Sequence, residues 1–312
     1  MIPAHRFGLA DLIAAGPRAV ARYTGTLLAV FVVQTIVAAA CMLGVAVVLA
    51  QAFAHLPMWD EAVDGNLAAL LWCLRAGKAS FSACGGIVFA ALLLWQLASW
   101  FLAGGLYGVL GQRPEGRAET ARCFGASGAA TYLAYARLAL CSIPGWLVAM
   151  FALGAGMGWA DPRIQYALTV GDLVVPLAVA FLPALAILHV VGTIGDYARV
   201  ELTLRHDSHE PGVVMTYART TLFVLRRPIV LVHAGLGWLV FALVTFGYAF
   251  LAQGHAMYGA EGAVTLFVIR QGVALARTAV RFGVMAGQVE LGRTRPLPPR
   301  RAEPAGEAAK RA

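Results

Sequence analysis

The stretch Tyr23–Trp59, YTGTLLAVFVVQTIVAAACMLGVAVVLAQAFAHLPMW, contains no Asp, Glu, Lys or Arg. A bilayer core about 30 Å thick is crossed by about 20 helical residues at about 1.5 Å each, so this run suffices for one membrane span. Ala79–Gln112, ASFSACGGIVFAALLLWQLASWFLAGGLYGVLGQ, repeats the pattern. Leu138–Ala160, Tyr166–Gly195 with Asp172 inside it, and Pro228–Ala260 add three more runs. A sixth, Gly262–Leu291, is apolar but carries Arg270, Arg277, Arg281 and Glu290. The expectation is an all-α, polytopic membrane protein with six transmembrane helices, at about 24–53, 79–110, 138–158, 166–194, 228–253 and 262–289.

Composition agrees with that expectation. Of the 312 residues, 60% are hydrophobic and 13% charged, against about 25% charged in a soluble globular domain. One soluble core cannot hide the excess. Residues 1–22 hold His5, Arg6, Asp11, Arg18 and Arg22 with no apolar run long enough for a cleavable signal, so retention of Tyr23 onward is expected. Phe7, Leu9, Leu12, Ile13 and Val20 instead suggest an amphipathic helix in the headgroup region.

The net charge of +8 is explained by topology and is not a nucleic-acid signature. Nineteen Lys and Arg fall before the first span, between the second and third, between the fourth and fifth, and from Arg281 onward; the alternate loops hold Arg75, Lys78 and Arg163. The positive-inside rule then places both termini in the cytoplasm, across a bacterial inner membrane. Residues 293–312, rich in proline and basic side chains, read as a disordered cytoplasmic tail.

An internal threefold repeat is suggested: an amphipathic, arginine-bearing lead-in followed by a helical hairpin. The lead-ins are Phe7–Arg22, Glu119–Arg137 and Gly212–Arg227, and the last two share Thr-Tyr (Thr131-Tyr132, Thr216-Tyr217) and Tyr-Ala-Arg (Tyr135 to Arg137, Tyr217 to Arg219). Gly212–Arg227 is expected to lie along the cytoplasmic surface as an interfacial helix.

Several polar residues inside the spans are candidates for function. At about 100° per residue, Arg270, Arg277, Arg281 and Gln288 fall on one narrow stripe of the sixth span. Read functionally, this stripe is a basic track for an anionic substrate or lipid headgroup; read structurally, it is a snorkelling residue, a carbonyl contact and an ion pair. Asp172, six residues after Tyr166, and Arg270, eight after Gly262, are expected at matching depth, as an ion pair or in a shared polar cavity. Pro176 and Pro183 predict a kink beside Asp172.

His189 and His233, on neighbouring spans at similar depth, could ligate a haem b iron, and satisfied polar histidines at helix ends are the commoner case. The cysteines Cys41, Cys73, Cys84, Cys123 and Cys141 lack Cys-x-x-Cys spacing and read as small core residues, not metal ligands. Gly104 and Gly108, four apart, predict close helix packing. No phosphate-binding loop, Gly-x-Ser-x-Gly or His-Glu-x-x-His motif occurs, so no catalytic residue is assigned.

The segment Asp196-Tyr-Ala-Arg-Val200, then Arg205-His-Asp207 and Tyr217–Pro228 ending in Arg-Arg-Pro, resembles a group of bacterial six-span membrane proteins of unassigned activity. More distantly, the surface helix plus hairpins looks like the membrane domain of some glycerophosphodiester phosphodiesterases. Both resemblances imply the fold and neither brings a functional residue. The functional expectation is a non-catalytic, permease-like or scaffolding subunit that handles a lipid or anionic solute or assembles with another membrane or cytoplasmic chain, without a cofactor. The alternative is a membrane-embedded enzyme or haem-binding redox subunit.

Overall fold

The computed structural model describes residues 8–53, 56, 58–63, 66–166, 169–205, 212–254 and 260–294. Every regular element among them is an α-helix. Five are long and apolar enough to cross a membrane: α2 (Thr24–Phe53), α5 (Lys78–Gln112), α6 (Arg117–Gln165), α7 (Val170–Leu204) and α9 (Pro228–Gly254). The chain is therefore a multi-pass integral membrane protein. Large apolar side chains on these helices face outward, including Leu43, Phe89, Leu94, Phe151, Leu182 and Phe250, as lipid-facing positions must.

The remaining helices are α1 (Leu9–Arg22), α3 (Trp59–Val63), α4 (Leu67–Ala76), α8 (Val213–Leu225) and α10 (Ala260–Thr294). At 35 residues α10 matches α5 and α7 in length, but its charges keep it from the apolar five. The expected disordered tail lies outside the described residues from 295 onward.

Two helix boundaries differ from expectation. The lead-in 119–137 and the third span form one continuous helix, α6, of 49 residues and about 74 Å, more than twice the thickness of a bilayer core. Nothing in 119–137 breaks a helix, and Pro144 sits within it. The fourth span begins at Val170 because Thr169 and Asp172 form a capping box, in which the Thr169 hydroxyl accepts from the Asp172 N–H at 3.2 Å and the Asp172 carboxylate accepts from the Thr169 N–H at 3.0 Å. Asp172 therefore occupies the first helical turn and not the interior of a span.

The chain divides into two compact units. Tyr23–Ala103 forms one; its small core sets Ala69 and Cys73 against Leu49, Leu56, Met58 and Trp59. The Asn66 side chain caps α4 by accepting from the Ala68 and Ala69 N–H groups. All five cysteines are free thiols.

The other unit joins α1 to everything from Gly104 onward. Its core gathers Leu12 of α1, Ile194 and Tyr197 of α7, Val224 of α8, Val230 of α9 and Leu291 of α10. The turn from α5 into α6 uses left-handed backbone at Arg113 (φ 56°) and Gly116 (φ 83°), the second in a region that favours glycine.

Within this unit α6 docks on the end of α5, α1 on the end of α10, and α8 on the end of α7. On α6, Gly128 and Thr131 meet Gly104 of α5, and Ser127 meets Gly108. On α1, Gly16 meets Gly283 of α10, and the Leu12 carbonyl meets Gly287. On α8, Val224 packs with Ile194 and Tyr197 of α7. The first two docks share a four-residue glycine spacing, Gly104 to Gly108 and Gly283 to Gly287, which lets backbones approach where any side chain would collide.

Candidate functional site

Where the ends of α5, α6, α7 and α10 converge, polar side chains join into one buried chain. Gln288, fully buried on α10, accepts a hydrogen bond from the Tyr107 hydroxyl of α5 at 3.0 Å. Its Nε2 lies 3.4 Å from the Asp196 carboxylate of α7. Asp196 in turn pairs with Arg199 one turn along, Nη1 to Oδ1 at 2.8 Å. The Arg199 guanidinium lies over the Tyr135 ring of α6, centroid distance 5.9 Å, and the Tyr135 hydroxyl lies 2.6 Å from Thr203 Oγ1 and 3.1 Å from the Arg199 carbonyl. Four helices thus share one polar circuit.

A second layer seals its rim. Arg113, in the α5–α6 turn, pairs with Glu290, and Arg293 donates to the Gly111 carbonyl. On α7, Arg205 Nε pairs with Glu201, one turn before it, at 2.7 Å. Amide, phenol, carboxylate and guanidinium partner one another here, although the Arg199 Nε is buried without a hydrogen-bond partner. Chemically the arrangement fixes helix positions; an acid and a base aimed at an open space are not what it presents.

The expected arginine stripe is dispersed. Arg270 and Arg281 are exposed, and the Arg277 guanidinium stacks on the Phe241 ring of α9, 3.9 Å from its centroid. Gln288, the uncharged end of the stripe, is fully buried. Asp172 and Arg270 are not joined: the Asp172 carboxylate turns back to the Thr169 N–H and hydroxyl. Counted from the Asp196–Gln288 contact, Asp172 lies about 36 Å along α7 and Arg270 about 27 Å along α10.

His189 and His233 do not converge. His189 Nε2 lies 3.1 Å from the Leu231 carbonyl, and Gly235 is beside the same ring atom. His233 stands about 200° around α9 from Leu231, against Gly287 of α10. The two rings therefore lie against different faces of α9. Among the described residues no three His, Cys, Asp or Glu side chains group closely enough to hold a metal ion.

Sequence reasoning missed Tyr107, Tyr135 and Thr203, and quoted Asp196 and Arg199 only as part of a resemblance. The available signal was an opposite-charge pair at i, i+3 at the end of an apolar run, which places both side chains on one helix face. No protein-family model, curated protein or solved structure matches the chain.

Proposed function

We propose that the chain is a non-catalytic, permease-like or scaffolding component of the bacterial inner membrane, with six spans and both termini in the cytoplasm. On this reading α10 is the sixth span, the convergence of α5, α6, α7 and α10 lies at the cytoplasmic side, and the protein handles a lipid or anionic solute or holds a second subunit. The observation that carries it is the Tyr107–Gln288–Asp196–Arg199 circuit, whose ionisable groups are spent on each other and on fixing helices. Support for the orientation comes from the arginines of this unit, which gather on the lead-ins and beside the convergence, at Arg113, Arg117, Arg122, Arg205, Arg226 and Arg293.

Length supports the sixth span, since the 35 residues of α10 reach about 52 Å. Its arginines fit the same reading. Arg277, near mid-membrane, rests on an aromatic face, while Arg281 is close enough to the inner boundary to snorkel. The test is a dual reporter fused after residue 60 and at the C-terminus. Opposite sides of the membrane are expected, with the C-terminus inside; residue 60 and the C-terminus on the same side would refute six spans.

A further inference from the structure

Helix α8 is built inside out for a helix in water. At about 100° per residue its sides separate cleanly. Thr216, Thr220 and Val224 are buried against the bundle. On the opposite side, Val214, Met215, Ala218, Leu222 and Leu225 lie within about 100° of arc and are exposed, Val214 at 72% and Leu225 at 59%. Threonine faces in and leucine faces out. A soluble helix would place these the other way round.

Arg219 and Arg226 both fall on one border of the outward stripe, between it and the buried face, while Tyr217 and Thr221 occupy the other border. With the stripe turned laterally toward acyl chains, the arginine border lies level with one layer of headgroups. Apolar residues at tail depth edged by cations are the pattern that holds a helix at an anionic leaflet.

We propose that the outward face of α8 is a binding surface for anionic phospholipid, its apolar stripe against the acyl chains and Arg219 with Arg226 on the phosphates. This deepens the lipid-handling reading above, and rests on it for the assignment to the inner leaflet.

The experiment uses the full chain carrying a benzophenone amino acid in place of Leu222, in nanodiscs of phosphatidylcholine with about one third phosphatidylglycerol. Each cation near an anionic surface is worth roughly fivefold in binding, so after irradiation the lipid adducts should contain phosphatidylglycerol at least about threefold above its share. Arg219→Gln with Arg226→Gln should return the adducts to the bulk ratio while their yield persists. Adducts at the bulk ratio in the unsubstituted chain would overturn the proposal, as would crosslinks to a second copy of the chain or no adduct at all. Nanodiscs expose both leaflets, so this result does not depend on topology. The dual reporter can fail while the lipid adducts form, and the reverse.

Discussion

Substituting Tyr107 and Gln288 separately and together tests whether the buried circuit holds the helices. Tyr107 is 1% exposed and Gln288 0%, and their hydrogen bond spans 3.0 Å between α5 and α10. Tyr107→Phe leaves the Gln288 carbonyl oxygen buried without that donor, which costs about 1–2 kcal/mol. Gln288→Leu strands the Tyr107 hydroxyl and removes the longer 3.4 Å contact to Asp196, for about 2–3 kcal/mol. The double substitution replaces both partners with apolar groups of similar shape, so only the Asp196 contact is lost and the net cost should fall to about 1 kcal/mol. The coupling is then about 3 kcal/mol, well above the roughly 0.3–0.5 kcal/mol within which independent sites add. Unfolding by sodium dodecyl sulfate in dodecyl maltoside micelles, followed by tryptophan fluorescence, measures all four proteins. Strict additivity would refute the circuit as a shared interaction.

Four further outcomes follow from the same geometry. Gly16→Ala puts a Cβ 3.1 Å from the Gly283 Cα, a backbone contact with little room to yield, so α1 should loosen at a cost of about 1–3 kcal/mol, seen as faster tryptic cleavage at Arg18 and Arg22. Thr169→Ala removes one half of the α7 capping box and should cost about 1 kcal/mol in the same unfolding assay. Asp172→Ala and Arg270→Ala should be additive within about 0.5 kcal/mol, because no ion pair joins them; strong coupling would restore the expectation of a pair. Phe241→Leu and Arg277→Met should couple by about 1 kcal/mol, the worth of a stacked guanidinium.

The spans could be read from sequence because the bilayer imposes a length and forbids charge, and both are visible in one dimension. Tyr23–Trp59 and Ala79–Gln112 needed no further information. The start of α7 was misplaced because hydropathy continues smoothly from Tyr166 through the cap, whereas Thr169 and Asp172 set the boundary by hydrogen bonding. The spacing of Arg270, Arg277 and Arg281 specifies a helix face, but a face is not a depth or a partner. Arg277 found an aromatic ring on α9 that no spacing in α10 foretells. The polar circuit stayed hidden because its members sit far apart in the chain, Tyr107 and Gln288 being separated by 181 positions. A motif search looks for neighbours, and these residues are neighbours only once four helices have assembled.

The docking of α1 on α10 also sets a schedule. The ribosome makes α1 first and its partner last, since the glycines that receive it, Gly283 and Gly287, lie near the far end of the chain. Until α10 has been made, α1 lacks the glycine face on which its Gly16 and the Leu12 carbonyl dock. The dock of α1 on α10 therefore closes only after every helix between them has been made, and a chain truncated before Gly283 would lack it.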